Sequence, residues 1–152
     1  MRLYLENGEE FASGATNYEY RPATERERTP RITVSIILDN FHTLAFVDTG
    51  GVYGICSPEI AASLNLDPKD AIPADPLLWG RGRLEGSLYR IPVTLIAEEG
   101  ESLQFEPTFF IPQVDQAWED DLSCVLGMYS CLERIRFAVD PSTDTFYFGE
   151  LK

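Results

Sequence analysis

Asp48 is the residue of this chain best placed to do chemistry. An apolar run, Leu44-Ala45-Phe46-Val47, leads into it, and Thr49-Gly50-Gly51 follows directly. A short apolar run bounded by turn residues reads as a buried strand. Thr-Gly-Gly then reads as a sharp turn. Together they deliver one carboxylate to the end of a strand, where it can take or give a proton. Asp and Gly also favour ordinary turns on conformational grounds. Whether Asp48 is chemical or merely a turn residue depends on what the rest of the chain brings to it.

The elements that must position Asp48 are legible on both sides. Residues 31–38 are rich in Ile, Val and Thr and predict a strand. Asp39-Asn40 predicts the turn, and residues 41–47 a second strand that ends at Asp48. After the glycines, residues 52–56 form a short apolar run. Ser57-Pro58 then has the composition of a helix start, with Ser57 as N-cap and Pro58 in the first turn. The helix is expected to reach Asn65 and to stop before Asp67-Pro68.

Further along, residues 77–95 predict a long hairpin with its apex within Gly80-Arg81-Gly82-Arg83-Leu84-Glu85-Gly86. Gly80, Gly82 and Gly86 allow a mobile backbone that can approach a ligand closely. Residues 89–97 and 102–111 predict strands, with Pro92 marking an edge or a bulge. Cys124-Val125-Leu126-Gly127 leads into one or two helical turns over 128–134. Residues 135–139 and 145–148 predict the last two strands. Residues 1–30 are polar and mixed and predict a poorly packed N-terminal arm with one short strand at residues 2–5. Residues 31–152 form the folded domain.

Over residues 31–149 this order of elements resembles the retropepsin-like aspartic proteases, the single-lobed members of that class. The resemblance rests on Asp48-Thr49-Gly50, the glycine-rich hairpin, and Val125-Leu126-Gly127 before a helix. It implies a mostly β fold, a closed β-barrel of the acid-protease type with one or two short helices and one lobe per chain. It implies that Asp48 is catalytic and that Thr49 ties two such turns together across an interface. Gly50 would let the backbone pass close to the carboxylate, and Gly51 completes the turn that supports it. Val125, Leu126 and Gly127 would run beneath the turn, where only glycine leaves room. The hairpin would be the flap, with Trp79, Gly80, Gly82, Leu84 and Gly86 as its substrate-side residues. One departure stands out: the family usually has Ala or Ser where this chain has Gly51. Gly51 brings no hydroxyl to the ionised carboxylate, so the expected pH optimum lies nearer neutral than in relatives with Ser.

The chemistry implied needs two carboxylates sharing one proton, since two adjacent like charges do not both ionise cheaply. This chain has one Asp-Thr-Gly and is too short for two lobes. A symmetric homodimer would supply the second Asp48, with a peptide or protein as substrate. A second reading keeps the fold and drops the reaction: a peptide-binding or dimerisation module. A third is an unrelated β-barrel in which Asp48 is only a turn residue.

Composition bounds the remaining possibilities. The chain has 152 residues, which suits one domain with a real core. Its net charge of −13 disfavours nucleic acid and anionic membrane surfaces as partners. No apolar stretch has the length of a membrane span, and residues 1–6 lack a signal-peptide core, so cytoplasm is the expected location. Cys56, Cys124 and Cys131 fit no disulfide framework and no zinc spacing, and they read as buried thiols. His42 falls near a turn and reads as a surface residue. Glu25-Arg26-Glu27-Arg28 and Glu119-Asp120-Asp121 read as solvated charge runs, so no metal and no cofactor are expected.

Overall fold

The computed structural model describes residues 3–25, 30–79, 82–113 and 124–152, with Trp79 described by its backbone alone. Gly80, Arg81 and the runs at 26–28 and 119–121 lie outside the described residues.

Strands dominate. A ten-stranded sheet runs in the order Leu103–Phe105, Val93–Leu95, Arg31–Leu38, Phe41–Val47, Cys124–Leu126, Gly54–Cys56, Thr108–Pro112, Gly86–Arg90 and Ile72–Pro73, with Glu19–Arg21 also paired to Arg31–Leu38. The predicted hairpin of residues 31–47 is present and turns at Asp39-Asn40, where Asp39 has a φ of 58°. Val34, Ile36 and Leu38 alternate along their strand and are buried, the period-two signature of a half-buried strand. They join Leu95, Phe109, Leu126, Leu132, Phe146 and Phe148 in the main core.

The short α-helix Pro58–Ala62 starts where the sequence predicts: Ile60 N–H donates to Ser57 Oγ at 3.3 Å. It ends earlier than Asn65. Residues 128–134 form a turn and a single 3-10 turn, Leu132–Arg134, rather than an α-helix.

Four stretches depart from expectation. The long hairpin of residues 77–95 is a short one, Leu77–Trp79 paired with Gly82–Leu84, after which Gly86–Arg90 leaves to pair with Thr108–Pro112. Gly86 makes that departure possible, because a Cβ there would run into the Ile111 carbonyl. Prolines interrupt the two strands predicted at 89–97 and 102–111, which break around Pro92 and Pro107.

The N-terminal residues are the largest departure. Glu10–Ala12, Gly14–Asn17 and Glu19–Arg21 are strands, in addition to Leu3–Tyr4. Gly14–Asn17 lies inside a four-stranded sheet, between Glu99–Gly100 and Thr145–Glu150, with Ile135–Asp140 on the far edge. Ala12, Ala15, Thr16 and Tyr18 are buried. This stretch is therefore packed into the molecule. At Gly14 the Phe148 ring and the Glu101 carbonyl fill the space that a side chain would take.

Candidate active site

Asp48 sits where two strands part to admit a third. Phe41–Val47 and Gly54–Cys56 flank Cys124–Leu126, parallel to the first and antiparallel to the second. The turn of residues 48–53 must therefore cross over the end of the inserted strand. Asp48 N–H donates to the Leu126 carbonyl at 2.9 Å, and Met128 N–H donates to the Gly51 carbonyl at 2.8 Å. These two bonds lock the Asp48 turn to the segment beneath it.

The crossing leaves space for no side chain at residue 127. A Cβ there would overlap the Tyr53 carbonyl and come within 3.0 Å of the Gly51 carbonyl carbon. A Cβ on Gly51 would meet Gly127 Cα at 3.2 Å and the Asp48 carbonyl oxygen at 3.3 Å. Two glycines face each other across the narrowest point of the crossing, each needed for close approach. Val125 and Leu126 are buried beneath the turn. The structure thus brings together Asp48, Thr49, Gly50, Gly51, Val125, Leu126 and Gly127.

Each oxygen of the Asp48 carboxylate has a donor. Gly50 N–H donates to Oδ1 at 3.0 Å. Arg31 Nη1 lies 3.1 Å from Oδ2, and the two side chains are 16% and 25% exposed. Such a pair is mostly withdrawn from water and only weakly screened by salt. Arg31 is not among the residues that the sequence singles out, yet a signal for it existed. The two-residue turn at Asp39-Asn40 pairs Leu38 with Phe41 and Ile32 with Val47. One more step of that register puts Arg31 opposite Asp48.

The hairpin Leu77–Trp79/Gly82–Leu84 is rooted beside this site. Leu84 is buried, and with Leu77 it packs in a cluster with Phe46, Ile55, Phe110 and Val125. Phe46 and Val125 are register partners just ahead of the Asp48 turn. Leu84, a substrate-side residue of the flap in the sequence reading, has its side chain in this cluster at the foot of the hairpin. Leu78, next to Leu77 on the partner strand, is 79% exposed. Gly82 is exposed and Gly86 lies at the sheet junction.

Other reactive groups lie apart from this chemistry. Cys56, Cys124 and Cys131 are buried free thiols, Cys124 directly opposite Cys56. Burial pushes Cys56 and Cys131 up to about 12 and Cys124 well above the ordinary thiol range. They are inert as nucleophiles near neutral pH. His42 is exposed. Among the described residues, no group of three or more His, Cys, Asp or Glu is arranged to hold a metal ion. No described helix is long and apolar enough to cross a membrane.

Comparison with known proteins gives a structural answer only. No family model matches the sequence, and no curated protein matches it. Among solved structures, the chain is similar to a retropepsin-like aspartic protease from Rickettsia conorii. The TM-score is 0.53 at 18% identity, covering 90% of this chain and 95% of that one. It is also similar to the retroviral protease-like domain of Ddi1 from Leishmania major, with a TM-score of 0.52 at 20% identity, covering 79% of this chain and 93% of that one. These likenesses span nearly the full length of both solved chains, and the strand order places the Asp-Thr-Gly turn over an inserted Val-Leu-Gly segment. The chain has the single-lobed, mostly β fold of the retropepsin-like aspartic proteases.

Proposed function

We propose that this protein is an aspartic endopeptidase whose site is completed by a second copy of the chain. The observation that carries the reading is the Asp48 turn. Its carboxylate is fixed at the tip of a crossing that two opposed glycines make possible, with a backbone N–H on one oxygen. The tip itself is open: Thr49 and Gly50 are exposed, and Val52 beside them is 46% exposed. An exposed threonine and an exposed apolar residue flanking a fixed carboxylate suit a two-fold contact in which two such tips meet.

In that arrangement one Asp48 is ionised and the other holds the shared proton. The ionised carboxylate takes a proton from water as the water oxygen attacks the scissile carbonyl carbon. The protonated carboxyl donates to the carbonyl oxygen, giving a tetrahedral gem-diol. Collapse breaks the C–N bond, and the leaving nitrogen takes a proton from the dyad. The hairpin carrying Leu78 would lie along an extended peptide, pairing with its main chain and offering an apolar contact.

The test uses an unfolded protein and a mixed-sequence peptide pool as substrates between pH 3 and 8, with sedimentation equilibrium in parallel. Cleavage by a dimer is expected, with Asp48→Asn retaining the dimer and losing a hundredfold or more of the activity. A strictly monomeric chain, or cleavage unchanged by Asp48→Asn, overturns the reading. A dimer that binds peptides without cutting them at any pH supports the binding-module alternative.

A further inference from the structure

We propose that Arg31 is a positioning residue for Asp48, doing through an ion pair what a hydroxyl at residue 51 would otherwise do. The inference rests on the protease reading and concerns how this particular chain sets its catalytic carboxylate.

Three observations converge. An ideal Cβ at Gly51 would stand 3.6 Å from Asp48 Oδ2, so residue 51 lies nearer that oxygen than Oδ1. Glycine at 51 brings no donor to it. Arg31 Nη1 reaches the same oxygen at 3.1 Å from the neighbouring strand. The vacancy at 51 and the cation at 31 are therefore complementary. A side chain at 51 would also press on the Gly127 backbone at 3.2 Å, whereas Arg31 approaches from the strand opposite and leaves the crossing undisturbed.

Replacing a neutral hydroxyl by a guanidinium has a consequence for the reaction. A cation favours the ionised carboxylate more than a neutral donor does. Arg31 stands on the adjoining strand, and Arg21 is the register neighbour of Arg31, with its guanidinium over the Phe46 ring. The segments beneath and beside the turn, 51–55 and 124–129, carry only Tyr53, Cys124 and Tyr129. Arg31 thus sets a positive charge directly against the Asp48 carboxylate, and loss of that charge is what a pH profile of the reaction would read.

The experiment compares kcat against pH for wild type, Arg31→Gln and Arg31→Lys on one cleaved peptide, with dimer content and unfolding checked for each. Arg31→Gln is expected to lower kcat about tenfold or more with little change in KM, and to move the acid limb of the profile to higher pH. Arg31→Lys restores the charge and is expected to return the limb towards its wild-type position. Should the Gln variant fail to fold, Arg31→Met keeps the aliphatic packing and is expected to show the same displacement. An active wild-type enzyme whose acid limb is unmoved by Gln or Met overturns the role of Arg31 alone. A wild-type dimer that cleaves nothing at any pH overturns the protease reading and this role with it.

Discussion

At the scale of single residues, the site depends on what is missing as much as on what is present. Gly51 and Gly127 are small so that one loop can lie on another, and the carboxylate is held by a backbone N–H and an arginine. The three thiols nearby are a separate matter. Their burial holds the neutral form, so they do not ionise in the folded chain until far above their ordinary value of 9.0. The unfolded chain loses those protons near 9, whereas the folded chain retains them towards about 12. Between those values the unfolded state binds fewer protons, so stability falls as pH rises. Urea unfolding should give a midpoint unaffected by the thiols below pH 9 and declining above it. Replacing Cys56 and Cys131 by Ala should flatten that decline, with a separate cost for the cavities made.

At the scale of elements, the N-terminal strands are structural. Gly14–Asn17 pairs with Thr145–Glu150, and Gly14 lies against the Phe148 ring. Removing residues 1–17 would strip a strand from the middle of a sheet and bare Phe146 and Phe148 to water, each a large apolar burial. The truncated chain is expected to lose its cooperative thermal transition, read by circular dichroism. If it instead folds as before, the segment is dispensable.

What was legible follows from the range over which each signal acts. The 31–47 hairpin, the Ser57 cap and the Asp48 turn are local, and they stand where residue pattern places them. The Val125-Leu126-Gly127 insertion was legible only through resemblance, since nothing near it in sequence says which strands it will part. The strand at 14–17 was illegible because its residues are small or polar, and it pairs with a strand more than a hundred residues later that carries Phe146 and Phe148. Arg31 needed an exact strand register, which a two-residue turn could have provided.

At the scale of the whole molecule, charge opposes the assembly that the proposed site requires. Each chain carries a net charge of −13, so two copies repel at distances beyond contact. The repulsion is screened over about 10 Å at 0.1 M salt. Dimerisation should therefore tighten as salt rises from 20 to 500 mM, as followed by sedimentation equilibrium. The local charge at Asp48 runs the other way, with Arg31 on its carboxylate and Arg21 one strand further out. A weakening dimer at high salt would mean that opposite charges across the contact, rather than the overall repulsion, dominate.

The inserted strand also bears on when the site can exist. Asp48 is anchored to Leu126, and Gly127 in turn to Leu132, some eighty residues further along the chain. A chain emerging from the ribosome at about 5–20 residues per second exposes its Asp-Thr-Gly several seconds before the segment that fixes it. Through that interval the carboxylate belongs to a loose loop. Synthesis thus delays the reactive geometry until most of the polypeptide is out, and a truncated nascent product ending before residue 124 carries the motif without the means to shape it.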